Sequence, residues 1–102
     1  MTDLATLLAR IEGFEWDEGN TSKNVLGHGV TQAEAEEIFF YTPVLLVDDA
    51  RHSGREHRFI ICGSTSAARR LTAAFTLRGT RVRIISVRDM SRKECRVYEE
   101  AR

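Results

Sequence analysis

The chain has 102 residues, 42% apolar and 29% charged, enough for one hydrophobic core and too few for two independent domains. Fifteen basic residues balance fifteen acidic ones, which excludes a uniformly polybasic nucleic-acid binder. The charges are nonetheless segregated, with a net −8 over residues 1–50 and +8 over residues 51–102, and 13 of the basic residues are arginine, whose planar fork engages phosphates and carboxylates through paired hydrogen bonds.

In chain order, Leu4, Leu7, Leu8 and Ile11 fall at helical spacing, with Thr2 and Asp3 as caps and Gly13 as a stop, so a short amphipathic helix opens the chain. Phe14, Glu15 and Trp16 alternate as a short strand, and Asp17 is placed to cap a weak helix running toward Leu26. Gly27 and Gly29 bracket His28 as helix-ending residues. Thr31 and Glu34 have the spacing of a capping box, Val30 is placed to staple against Ala35, and Ala35, Ile38 and Phe39 form the buried stripe of a helix that Pro43 ends. Four β-type runs follow at 44–47, 57–62, 70–77 and 81–88, the last two joined by a tight connection at Arg78, Gly79 and Thr80, which predicts an antiparallel meander. Residues 48–56 and 63–68 read as polar loops. Ser91 and Glu94 form a second capping box, and Met90, Val97, Tyr98 and Ala101 give the last helix an apolar face. The expected fold is α+β: about four main strands and a short N-terminal strand in a small antiparallel sheet packed with helices, as a single domain over 1–102.

The functional signal is arginine. Strict alternation over 81–88 puts Arg81, Arg83, Ile85 and Val87 on one face and Val82, Ile84, Ser86 and Arg88 on the other. An arginine inside so apolar a strand sits at a sheet margin, pairs with a carboxylate, or lines a cleft for an anion. Arg78 in the hairpin and Arg92 and Arg96 on the following helix bring six arginines to one hairpin and its exit. Pairing with the acidic half of the chain is the competing reading of this face. His28 reads as a helix cap or as a group approaching a ligand between two glycines, while His52 and His57 flank a loop with no other metal-like residues. Cys62 and Cys95 lack metal spacing and an adjacent histidine, so they read as free packing thiols of a reducing compartment. The chain has no Gly-rich phosphate loop, His-Glu-x-x-His, Cys-x-x-Cys or Gly-x-Ser-x-Gly, and neither a cofactor nor a metal is expected. It has no apolar run near the roughly 20 residues of a membrane span and no signal-peptide pattern at its start, so the expected location is the cytoplasm. Metal-free RNA cleavage fits this inventory, because the substrate's own 2′-hydroxyl is the nucleophile and the protein has only to position it, stabilise charge and move protons.

Several segments together resemble the BrnT family of small ribonuclease toxins from bacterial type II toxin–antitoxin modules. They are Phe14-Glu15-Trp16-Asp17, Asn24, His28-Gly29-Val30, Ala35-Glu36-Glu37-Ile38-Phe39 and Arg51-His52. Further on come Glu56-x-Arg58-Phe59-Ile60, Phe75-Thr76-Leu77-Arg78-Gly79, Arg83-Ile84-Ile85-Ser86-Val87-Arg88, Ser91-Arg92-Lys93-Glu94 and Tyr98. The resemblance spans roughly 14–100, and residues 1–13 look like an added N-terminal helix. It implies a RelE-like fold whose sheet receives RNA on one side, metal-free RNA cleavage that halts translation, and a DNA-binding antitoxin (BrnA-like) that covers the cationic cleft, with a homodimer within that complex as a further possibility. Carried onto this sequence, Arg78, Arg83 and Arg88 clamp the scissile phosphate and His28 moves the proton, with Tyr98 as the alternative. Lys23, Arg81, Arg92 and Arg96 hold flanking RNA. Asn20 and Gly27 stand where the family usually carries lysines. That departure keeps open a catalytically degenerate homologue, beside a non-enzymatic arginine-rich module that binds only an antitoxin or RNA.

Overall fold

The computed structural model describes residues 4–41, 43–52 and 54–101, with their side chains except those of Leu4, Ala5 and His52. Its elements are α1 (Leu4–Ala9), β1 (Gly13–Phe14), α2 (Gln32–Glu37), β2 (Leu45–Asp48), a 3-10 turn (Ala50–His52), β3 (Arg58–Ser64), β4 (Arg70–Arg78), β5 (Arg81–Asp89) and α3 (Arg92–Glu100). The α+β class expected from the pattern is the one observed. The expected caps Thr2 and Asp3 lie outside the described residues.

One five-stranded sheet has the order β1-β5-β4-β3-β2. Strands β2 to β5 form the expected antiparallel meander, and Gly79, at φ +65°, supplies the left-handed position of the two-residue β4–β5 turn. The N-terminal strand departs from expectation twice. It is regular only over Gly13–Phe14, and it pairs parallel with β5, Gly13 opposite Arg81 and Phe14 opposite Val82. Glu15 still donates its N–H to Val82 O at 2.8 Å before the chain turns away.

The weak helix expected from Asp17 toward Leu26 does not form. Asp17 caps a turn instead: its Oδ1 accepts from Gly19 N at 2.7 Å and its carbonyl from Asn20 N at 3.1 Å. Short polar side chains that bond to nearby backbone offer the chain an alternative to the helix ladder. One turn closes on Ser22 O, and residues 25–27 then line the edge of β5. Leu26 bridges Val87 in parallel, Val87 N donates to Val25 O at 2.8 Å and Gly27 N to Val87 O at 2.9 Å. Gly27 and Gly29 therefore do not end a helix. They belong to a β-turn closed by Val30 N to Gly27 O at 3.0 Å, in which Gly29 takes the left-handed position at φ +64°.

Both capping boxes form as the spacing predicts, Thr31 with Glu34 and Ser91 with Glu94. One sheet face carries the core, where Leu46, Ile61, Leu71, Ala73, Phe75, Val82, Ile84 and Val87 meet Leu7, Val30, Ala35, Ile38 and Phe39. Phe39 contacts Phe14 and Phe75 edge-on with ring centroids 5.2 and 5.0 Å apart, the geometry aromatic quadrupoles favour. Trp16 packs on this cluster and donates from Nε1 to Glu36 Oε2 at 2.7 Å. The last helix buries a narrower face than its pattern suggests. Tyr98 is 2% exposed, whereas Val97 is 49% exposed. No helix among the described residues is long and apolar enough to cross a membrane.

Candidate functional site

The second face of the sheet is decided by one irregularity. Ala74 lies opposite Ser86, but Phe75 lies opposite Ile84, so Ile85 is an extra, unpaired residue in β5. A bulge of this kind reverses which side chains face which way beyond it. Before the bulge Val82 and Ile84 point into the core, and after it Val87 does. Arg88 therefore shares a face with Arg81 and Arg83, and strict alternation, which set them on opposite faces, is corrected. By register the rows on this face run Arg58–Thr76–Arg83, Ile60–Ala74–Ser86 and Cys62–Thr72–Arg88. At its middle a shallow hollow is lined by Asp49, Arg58, Ile60, Ala74 and Ser86.

Two arginine clusters occupy opposite ends of that face. In the first, Arg83, with a side chain only 16% exposed, holds Asp17 through two parallel bonds of 2.9 and 3.0 Å and reaches Glu15 at 3.2 Å. Arg78 shares Glu15 at 2.7 Å and engages both Glu56 oxygens at 3.2 and 3.3 Å. Arg81 donates to Phe14 O at 2.9 Å. In the second, Arg88 grips Glu94 through bonds of 2.6 and 2.9 Å. Hydrogen bonds from these guanidinium groups hold Asp17 and Glu56 below the usual carboxylate range, and Arg88 lowers Glu94 to about 2. The same bonds raise Arg78, Arg83 and Arg88. Arg78, Arg83 and Arg88 thus already hold carboxylates in the fork geometry a phosphate would use.

His28 belongs with the second cluster. A Cβ at Gly27 would lie 3.4 Å from Arg88 Cα and Cβ, so the backbone of the glycine turn packs beside Arg88, while the exposed His28 side chain acts electrostatically on Asp89. A cavity of about 440 Å³ there is lined by Lys23, Leu26, Gly27, His28 and Gly29. Lys23, His28 and Arg88 are thus brought to one end, and Arg78, Arg81 and Arg83 to the other. Tyr98 lies apart from both. Its buried hydroxyl donates to Pro43 O at 2.6 Å, with Ser64 Oγ 3.2 Å away and Arg70 over its ring. Arg92 and Arg96 are exposed on α3, which follows the exit of β5, at the end of the strand away from the Arg78–Arg81 turn. His57 contacts Asp48 and stacks on Phe59. Cys62 and Cys95 are free thiols, with burial pushing Cys62 up. Among the described residues no three His, Cys, Asp or Glu side chains gather as metal ligands.

The two positions read as lost lysines have structural occupations. Asn20, 2% exposed, accepts from Asp17 N at 2.8 Å and donates to Glu15 O at 2.8 Å and Ile84 O at 3.2 Å. It thereby ties the turn after β1 to the strand beside the bulge. At Gly27 a Cβ would meet Val87 O at 2.9 Å. Sequence reading missed Arg69, which binds Asp89, Glu34 and the carbonyls of His28 and Gly29. It also missed Glu94 as the partner of Arg88. For Glu94 a signal existed in the capping-box spacing, but for Arg69 none did, because its partners lie 20 to 41 residues away.

Residues 16–94 match a family model described as "Ribonuclease toxin, BrnT, of type II toxin-antitoxin system". No curated protein matches the chain.

Proposed function

The chain belongs to the BrnT ribonuclease toxins of type II toxin–antitoxin systems, and on that premise we propose that it is a metal-independent endoribonuclease that inhibits translation by cutting RNA laid across the second face of the sheet. The observation that carries this reading is the bulge at Ile85, with Arg83 and Arg88 on one face and the His28 turn beside Arg88. In the proposed reaction the 2′-oxygen attacks the adjacent phosphorus, the bond from phosphorus to the 5′-oxygen breaks, and a 2′,3′-cyclic phosphate and a 5′-hydroxyl result. Arginine stays protonated and is no base, so Arg88 stabilises the phosphorane charge. His28 takes the 2′ proton and, once protonated, supplies one to the leaving 5′-oxygen. Arg78, Arg81 and Arg83 hold phosphates further along the strand, and Lys23, Arg92 and Arg96 add flanking charge. Tyr98 is the weaker candidate for proton transfer, since its hydroxyl is buried against Pro43 O.

Substrate phosphates must displace Asp17 and Glu94 from Arg83 and Arg88. A DNA-binding antitoxin that shields this face is the proposed partner, and the cytoplasm the proposed location. The same carboxylate pairs favour a second reading, in which the satisfied arginines only bind RNA or the antitoxin.

The test is induced expression of wild type beside Arg88→Ala in a bacterial host, with growth and new RNA 5′ ends followed. It is paired with cleavage by purified protein in excess EDTA. Arrest with discrete cuts that vanish in the variant and persist in EDTA is expected. Salt-sensitive RNA binding without products would establish the binding-only reading.

A further inference from the structure

The side chain with the richest set of partners next to the cleft is Arg69, in the turn between β3 and β4. Its Nε and Nη2 hold the two Asp89 oxygens at 2.8 and 3.0 Å. Nη2 also donates to His28 O at 2.8 Å and Nη1 to Gly29 O at 3.0 Å. Nη1 lies 3.3 and 3.4 Å from the two Glu34 oxygens. One planar group therefore ties the end of β5 and the first turn of α2 to two successive carbonyls of the glycine-bracketed turn. The base of the tether is itself fixed. Thr65 N donates to Arg69 O at 2.8 Å, and Arg69 N donates back to Thr65 Oγ1 at 3.1 Å.

The ends of the His28 turn are held by the bond from Gly27 N to Val87 O at 2.9 Å and by the buried Val30, and between them Arg69 is its anchor. The His28 side chain is exposed, Gly27 and Gly29 give the turn's backbone the widest conformational freedom of any residue type, and its one internal bond is Val30 N to Gly27 O. Lysine replaces it only in part, because a single ammonium cannot present a rigid fork to a carboxylate and two carbonyls at once.

We propose that Arg69 is a positioning residue that holds His28 in register with Arg88. The inference rests on the proton-transfer role given to His28 above. A misplacement of about 1 Å of a reacting group costs on the order of 100-fold in rate, so Arg69→Ala is expected to lower kcat by roughly 10- to 100-fold. KM for RNA stays within about twofold, because Arg69 does not bind substrate in this scheme, and Arg69→Lys falls between.

The experiment measures kcat and KM on RNA for wild type, Arg69→Ala, Arg69→Lys, His28→Ala and the double variant His28→Ala/Arg69→Ala, with amide hydrogen exchange of each. Expected are faster exchange at the Val30 amide in Arg69→Ala with β4 amides unchanged, and a double variant no slower than His28→Ala alone. Unchanged Val30 exchange in a folded Arg69→Ala protein overturns the tether. Losses that multiply in the double variant overturn positioning through His28. Full activity of His28→Ala overturns the role of His28 and the positioning with it, and the exchange data then separate that failure from failure of the tether. If Arg69→Ala does not fold, Arg69→Lys carries the same comparisons.

Discussion

Replacing Asn20 by alanine isolates what its buried amide does for the edge of the sheet. The side chain makes three hydrogen bonds of 2.8, 2.8 and 3.2 Å to the backbone of Asp17, Glu15 and Ile84, and alanine leaves all three groups without that partner. A typical hydrogen bond contributes about 1 kcal/mol net, and each buried group left unsatisfied costs about 1–3 kcal/mol. Because Glu15 and Asp17 are partly wetted, the expected loss is about 2–4 kcal/mol, a large share of the roughly 5–15 kcal/mol that stabilises a domain of this size. Urea unfolding followed by the fluorescence of Trp16 measures it. With a slope of about 1–3 kcal/mol/M, the midpoint falls by roughly 1–2 M. Asn20→Asp retains the acceptor but sets a charge against two carbonyls, and Asn20→Lys offers Asp17 N no acceptor, so both are expected to cost at least as much. An Asn20→Ala protein within about 0.5 kcal/mol of wild type at an unchanged slope would refute the reasoning. If it holds, a lysine at this position cannot restore activity without loosening the sheet edge that carries the bulge.

Gly27→Ala is expected to cost about 1–3 kcal/mol in thermal denaturation, since its Cβ would stand 2.9 Å from the backbone oxygen of Val87, which cannot yield as a flexible side chain would. Gly13→Ala, with nothing within 4 Å of its Cβ, is the control and should change little. Glu94 is lowered from 4.5 to about 2 by Arg88. Its folded value lies below its unfolded one, so its contribution is full above about pH 4.5 and is lost as pH falls toward 2. A plot of Tm against pH should show that loss in wild type and lack it in Glu94→Gln, which keeps the capping geometry without the charge.

The features legible in the chain are those whose cause is local. Ser91 and Glu94, or Thr31 and Glu34, stand three residues apart and satisfy each other's backbone wherever the helix docks. Gly79 marks its hairpin because the turn needs a left-handed residue at that point. Alternation of apolar residues over 70–77 requires only that one face be buried. The site followed another logic. Over 81–88 the apolar residues fit either face, and the register of β5 was chosen by its neighbours, with Phe75 opposite Ile84, Ala74 opposite Ser86, and Val87 held from its other edge by Val25 and Gly27. One extra residue at Ile85 then moved Arg88 to the face of Arg83. The arginines themselves were visible as a charge excess, but their partners were not. Asp17 is 66 residues from Arg83, and Glu15 63 from Arg78. Composition and short-range spacing thus determined the class of fold, the capped starts of α2 and α3 and the arginine character of the site. Which face each arginine occupies, and which carboxylate or carbonyl it holds, was decided only when the strands docked, because register and ion pairing across a sheet are properties of residues brought together in space.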